Sequence, residues 1–182
     1  MGRQSKAKSL VTRIVDLNEQ IDAEAADPPL KPHVLGNPLA AKTIDSSEKK
    51  LHVIFPPSYR DFLSVCNGFK GITGLWDMLS VEEMASGPYF DEIQAWKASP
   101  LGSETMSASK IFVVGWVLGK DLLDVDLAAL DLGTRDDKGE CPILVIRFSR
   151  GQKEVEEFPN FYSHLGHIVE TLEFILEDLQ EP

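Results

Sequence analysis

The stretch FPPSYRDFLSVCNGF, residues 55–69, sets two prolines directly before an apolar-periodic run and Asn-Gly directly after it. Proline is tolerated at the first helical position, because the missing N–H has no intrahelical partner and φ is already set. Pro57 fits that place, and Pro56 keeps the entry extended. Tyr59, Phe62, Leu63 and Cys66 recur at helical spacing and give one apolar face. Gly68 is free to take a left-handed conformation, so the pattern predicts that it stops the helix. The stretch reads as a short, buried helix with both ends marked.

Toward the N-terminus, Leu10, Ile14, Leu17 and Ile21 predict a helix over about residues 6–25. Four prolines between Asp27 and Pro38 predict a linker or wrapping loop, so residues 1–37 read as a helical extension and 38–182 as the main domain. Asn37-Pro38 has the form of an N-cap followed by Pro, which predicts a further helix from there to Lys50. Past the opening stretch, GFKGITGLW predicts a turn-rich loop and a short strand at Ile72–Trp76. Ser80 and Glu83 have capping-box spacing and open a helix. Phe90, Ile93 and Trp96 predict another turn or two of helix, and residues 98–109 a loop.

The second half changes character. Residues 111–117, 122–127, 142–149 and 154–158 are short runs, mostly rich in Val, Ile and Leu, and bounded by Gly, Asp and Lys. The gaps between them are too short for crossover helices, so they predict antiparallel pairing. Ile168, Leu172, Ile175 and Leu179, widened by Val169, Phe174 and Leu176, give a terminal helix. Helices, then strands, then a helix make an α+β domain with a mainly antiparallel sheet.

Composition narrows the function. A chain of 182 residues buries enough surface to fold as one domain without a disulfide or metal staple. The longest apolar run, Ile111–Gly119, is too short to span a bilayer, and the opening MGRQSKAKSL has no apolar core of a signal peptide. Cys66 and Cys141 lack a paired motif and read as reduced core residues, so a cytoplasmic protein is expected. Net charge is −11, which argues against DNA or RNA as a direct ligand. The charge is uneven: after Lys153 there are eight acids and no Lys or Arg, and acids also crowd Asp121–Glu140. Such a surface either solubilises the protein or docks a basic partner.

Motifs for catalysis fail on inspection. GWVLGKD has phosphate-loop glycines one residue too close, and Asp121 stands where Ser or Thr should hold the metal. Gly68, Gly71 and Gly74 sit in no βαβ pattern. His164, His167 and Glu170 are three apart, but no further ligand has recognisable spacing. There is no Gly-x-Ser-x-Gly elbow, and neither cysteine has an evident basic neighbour. No catalytic residue, metal or cofactor is expected. Trp76, Tyr89, Phe90 and Trp96 flank the acids Asp77, Asp91 and Glu92, a composition suited to an interface.

The order of the pieces resembles a known family. FPPSYRDFLSVCNGF is similar to the most distinctive motif of the SUKH superfamily, which groups fungal cell-wall synthesis regulators with many bacterial immunity proteins. MLSVEEM (78–84), GKDLLDVDL (119–127) and TLEFIL (171–176) follow in the family's order, so that the resemblance covers about residues 38–180. Phe69 departs from it, because members often carry a second Gly there. The resemblance implies helices packed around a mainly antiparallel sheet, no catalytic centre and a protein-binding role. In bacteria that role is commonly the neutralisation of a cognate toxin from a competition system, often a nuclease. An acidic inhibitor suits a basic toxin. The contact face expected on this reading comprises Trp76, Asp77, Asp91, Glu92, Asp121, Asp124, Asp136 and Asp137. The fungal relatives imply an alternative, a regulatory scaffold module without a toxin.

Overall fold

The computed structural model describes residues 3–25, 32–74, 76–107, 110–118, 125–149 and 152–180. Its elements run α1 (Arg3–Glu24), β1 (Val34–Leu35), α2 (Ala41–Leu51), α3 (Pro57–Leu63), β2 (Phe69–Lys70) and β3 (Asp77–Met78). Then come α4 (Val81–Ala85), α5 (Pro88–Ala98), α6 (Pro100–Ser107), β4 (Ile111–Leu118), β5 (Val125–Asp131), β6 (Ile143–Ser149), β7 (Gln152–Phe158) and α7 (Phe161–Gln180). The strands form one sheet in the order β1 to β7, and every neighbouring pair is antiparallel. The fold is α+β, as the short gaps between strands required.

The opening stretch does more than make a helix. Pro56 is extended and Pro57 begins α3, as expected. The free N–H groups at that helix start are met from far along the chain. Glu140 accepts from the Ser58 N–H at 3.0 Å and from the Ser58 hydroxyl at 2.6 Å. Ser58 Oγ in turn accepts from the Phe161 N–H at 3.2 Å. One buried serine thus ties α3 to the β5–β6 loop and to the start of α7.

At the other end α3 stops at Leu63, before the expected glycine. Gly68 does have positive φ (86°), but it serves the turn into β2. A Cβ there would crowd the Ser80 nitrogen and the Met78 oxygen. Asn67 ties the loop after α3 to the start of α4: its side-chain oxygen accepts from the Val81 N–H at 2.9 Å, and its amide donates to Glu82 at 2.7 Å. Ser80 and Glu83 complete the capping box at the same place.

Both faces of the sheet are used. Phe112, Leu130, Ile143 and Phe158 share one face by register, and Val145 and Arg147 continue it along β6. There Phe55, Tyr59, Phe62 and Phe161 pack ring against ring between α3, α7 and the sheet. On the opposite face Trp96 of α5 packs on Trp116 and Phe148. Helix α1 lies against α7 and α3. It buries Val11, Ile14 and Leu17, and its Arg13 meets Glu173 at 2.7 Å.

Several local expectations need correction. Residues 72–74 are no strand, because Gly71 (φ 62°) and Gly74 (φ 79°) fold them into the turn between β2 and β3; residue 75 lies outside the described residues. Helix α2 starts at Ala41 rather than at Pro38. Residues before it are tied down instead, with Leu39 N–H bonded to Leu63 O and Asn67 N–H to Asn37 O. Residues 100–107 are helical. The second long strand begins at Val125 and runs to Asp131; residues 119–124 lie outside the described residues. On α7 the buried face is Phe161, His164, Leu165, Ile168, Leu172 and Leu176, while Phe174 and Leu179 are exposed. Among the described residues no helix is long and apolar enough to cross a membrane.

Candidate functional site

The acids expected to form one face are dispersed. Asp77 is 1% exposed and belongs to the interior. Its carboxylate accepts from the Gly71 N–H at 2.9 Å and from the Tyr89 hydroxyl. Burial and this bond to Asp77 raise the Tyr89 pKa above its ordinary value. Lys70 Nζ lies 4.1 Å from the centroid of the Tyr89 ring and 2.6 Å from Glu83. Asp77 therefore holds the β2–β3 turn closed and is no contact residue. Asp77→Ala is expected to lower stability by about 2–4 kcal/mol, since it leaves buried donors unmet. Urea unfolding measures this, and a loss below about 0.5 kcal/mol would contradict the assignment.

Glu92 accepts from the Trp116 indole N–H at 3.0 Å. Asp91 is exposed in the first turn of α5. Asp136 and Asp137 are exposed in the β5–β6 loop, where Asp136 accepts from the Lys138 and Glu140 N–H groups. Asp121 and Asp124 lie outside the described residues. Their segment joins β5 at Val125, whereas Asp136 follows Asp131 at the other end. A strand of this length separates its ends by about 20 Å. Asp136 and Asp137 therefore stand a strand's length from where the 119–124 segment enters the sheet.

Of the eight residues, Trp76 leads to a site with shape. It lines a cleft of ≈ 220 Å³, together with Ile72 and Thr73 of the β2–β3 turn. Val145 and Arg147 of β6 form the floor. Helix α7 supplies the far wall through His164, His167, Ile168, Thr171 and Ile175. Arg147 reaches Glu156 of β7 at 3.5 Å, and His167 stands 3.6 Å from the same carboxylate and 4.0 Å from Glu170. His164 is different: it is 4% exposed, and neither ring nitrogen has a hydrogen-bond partner. Its ring lies against Phe158 and Phe161. Burial, then the positive charges of His167 and Arg147, push its pKa down to about 3. It is a neutral imidazole, with one donor and one acceptor to offer.

Burial pushes the Cys66 thiol up to about 12 and Cys141 to about 11, so neither supplies a thiolate near neutral pH. Among the described residues no group of His, Cys, Asp and Glu is placed to hold a metal ion. The cleft is smaller than the roughly 300–1,000 Å³ that cofactors and drug-sized ligands occupy.

Reading the sequence missed this place because its walls come from three distant segments. The i, i+3 pair His164/His167 was visible, but its pairing with β6 and the 72–76 turn was not. The charge run after Lys153 was the available signal. It becomes the acidic surface of β7 and α7, in which Glu154, Glu157, Glu170, Glu177 and Asp178 are exposed.

The sequence model of a family described as "SMI1 / KNR4 family (SUKH-1)" matches residues 38–166. The match takes in the opening stretch, strands β2 to β7 and the start of α7. It leaves out α1 and most of α7, including four of the cleft's lining residues. No curated protein matches the chain.

Proposed function

The chain belongs to the SMI1 / KNR4 family (SUKH-1), and from this premise we propose that it is a non-enzymatic, cytoplasmic protein-binding module that neutralises a cognate basic toxin domain. Residues 1–37 are then an addition to the family domain, packed on it through α1. The observation that carries the reading is the charge of the C-terminal part: eight acids after Lys153 and no Lys or Arg. Such a field steers a basic partner and raises its rate of association. A nuclease toxin is the natural target, because its active site must itself attract phosphate. Asp91, Glu92, Asp121, Asp124, Asp136 and Asp137 contribute to the same field, and Trp76 supplies an aromatic anchor.

A tagged pull-down from the native host, washed at low and high salt, tests the reading. The expected result is one stoichiometric partner ending in a basic toxin domain. Its association rate should fall about tenfold or more between 0.05 and 0.5 M salt. Joint neutralisation of Asp121, Asp124, Asp136 and Asp137 should lower that rate as well. Recovery of only signalling or housekeeping proteins would move the chain to the regulatory scaffold role.

A further inference from the structure

We propose that the cleft between α7, β6 and the β2–β3 turn seats one aromatic side chain, Trp or Tyr, from a partner segment flanked by lysine or arginine. This deepens the protein-binding reading and rests on it. Three observations fix the chemistry. The walls are apolar, being formed by Ile72, Trp76, Val145, Ile168 and Ile175, so the occupant presents a ring or hydrocarbon. The ≈ 220 Å³ volume suits a single large side chain. His164 lines the cleft with both ring nitrogens unpartnered, and buried polar groups in native proteins are normally hydrogen-bonded. Both nitrogens lie below the cleft surface, so seating an occupant turns the His164 ring until one nitrogen meets the occupant's ring N–H or O–H, which favours Trp or Tyr over Phe or Leu.

The border of the cleft fixes the flanks. Glu154 and Glu156 project from β7 on the same face as Val145 and Arg147. Phe174 lies three residues beyond Thr171 and seven beyond His167, so it borders the mouth, and it is 70% exposed. Exposed Glu170 and Asp178 stand four residues to either side of it on the same helix face. Arg147 adds little free positive charge, because Glu156 faces it at 3.5 Å. An aromatic anchor with basic neighbours is complementary to this arrangement, and an acidic segment is repelled.

The test uses the full chain and the peptide acetyl-Lys-Lys-Trp-Lys-Lys-amide, followed by NMR of the His164 ring nitrogens and the cleft isoleucine methyls. Saturable shifts confined to the cleft are expected. They should weaken at least about tenfold when glutamate replaces the lysines, and about threefold or more when Phe replaces Trp. Thr171→Trp fills the cleft from a half-exposed helix position and should abolish them. Thr73→Trp does the same from the opposite wall, should the first variant disturb α7. No cleft shift at about 10 mM peptide overturns the proposal. Equal binding of indole alone, or of the glutamate peptide, also overturns it, because the cleft would then be a small-molecule pocket. A toxin partner bound equally well by wild type and Thr171→Trp removes the cleft and leaves the proposed function standing. Peptide binding without any toxin partner does the reverse.

Discussion

Tyr59→Ala is expected to cost about 3–5 kcal/mol, and Tyr59→Phe to change stability by less than about 1 kcal/mol. Tyr59 is the tyrosine of the opening stretch and is 0% exposed. Its ring meets Phe55 edge-on at 5.1 Å and Phe161 edge-on at 4.8 Å, and stacks with Phe62 at 5.8 Å. Truncation removes contacts to the segment before α3, to α3 itself and to α7 together, and leaves a cavity that close-packed rings cannot collapse into. The hydroxyl is a different matter. Its bond is a weak one, to Met84 Sδ at 3.9 Å, and burial raises the phenol pKa. Phenylalanine loses that weak bond but no longer buries an O–H, so the two effects nearly cancel. Denaturant unfolding of both variants gives the answer. A Tyr59→Phe loss above about 2 kcal/mol would show that the hydroxyl carries the stability.

That pair of variants also marks what could be read in advance. The opening stretch announced a buried aromatic helix because proline placement and 3.6-residue spacing are local signals. Its wider role was not legible. That Ser58 meets Glu140 and Phe161, or that Asn67 caps α4, depends on contacts up to 103 residues apart. The same limit explains the errors. Residues 100–107 hold Pro, Gly and two serines, poor helix formers, yet they are helical. Gly102 lets α6 lie directly on the Trp96 carbonyl of α5, where any side chain would collide. Tertiary packing there overrides propensity. In the 72–76 segment Ile, Leu and Trp suggested a strand, but two left-handed glycines decided for a turn.

The dispersal of the expected contact residues has a related reason. Acids beside aromatics were taken as an interface composition, yet a carboxylate beside Tyr or Trp is equally the acceptor those rings need when buried. Asp77 with Tyr89, and Glu92 with Trp116, are such pairs. Trp76 alone of that group opens onto a cleft, and the acids that surround the cleft belong to the C-terminal charge run. Adjacency in sequence is a local signal that fits burial as well as an interface, whereas the distribution of charge along the whole chain marks the acidic surface of β7 and α7.

Lowering pH from 7 to 4 is expected to remove about 3 kcal/mol of stability through His164 alone. The folded pKa is pushed from the ordinary 6.5 to about 3. Between these values the unfolded chain binds a proton at this residue and the folded chain does not. Stability then rises with pH by about 1.4 kcal/mol per unit, so the contribution is complete above 6.5 and is lost as pH falls toward 3. The groups facing the ring explain why protonation is resisted. Phe158 and Phe161 exclude water, and His167 and Arg147 oppose a positive charge on the ring. Glu156 lies against His167 and Arg147, and Glu170 against His167. Carboxylates titrate in the same range, so the measurement is a difference. His164→Phe should match wild type near pH 7 and exceed it by about 3 kcal/mol at pH 4, in urea unfolding at each pH. Parallel pH profiles for the two proteins would mean that the folded state admits the proton at His164. Divergent profiles would establish a neutral imidazole at the cleft wall, with one donor and one acceptor to offer.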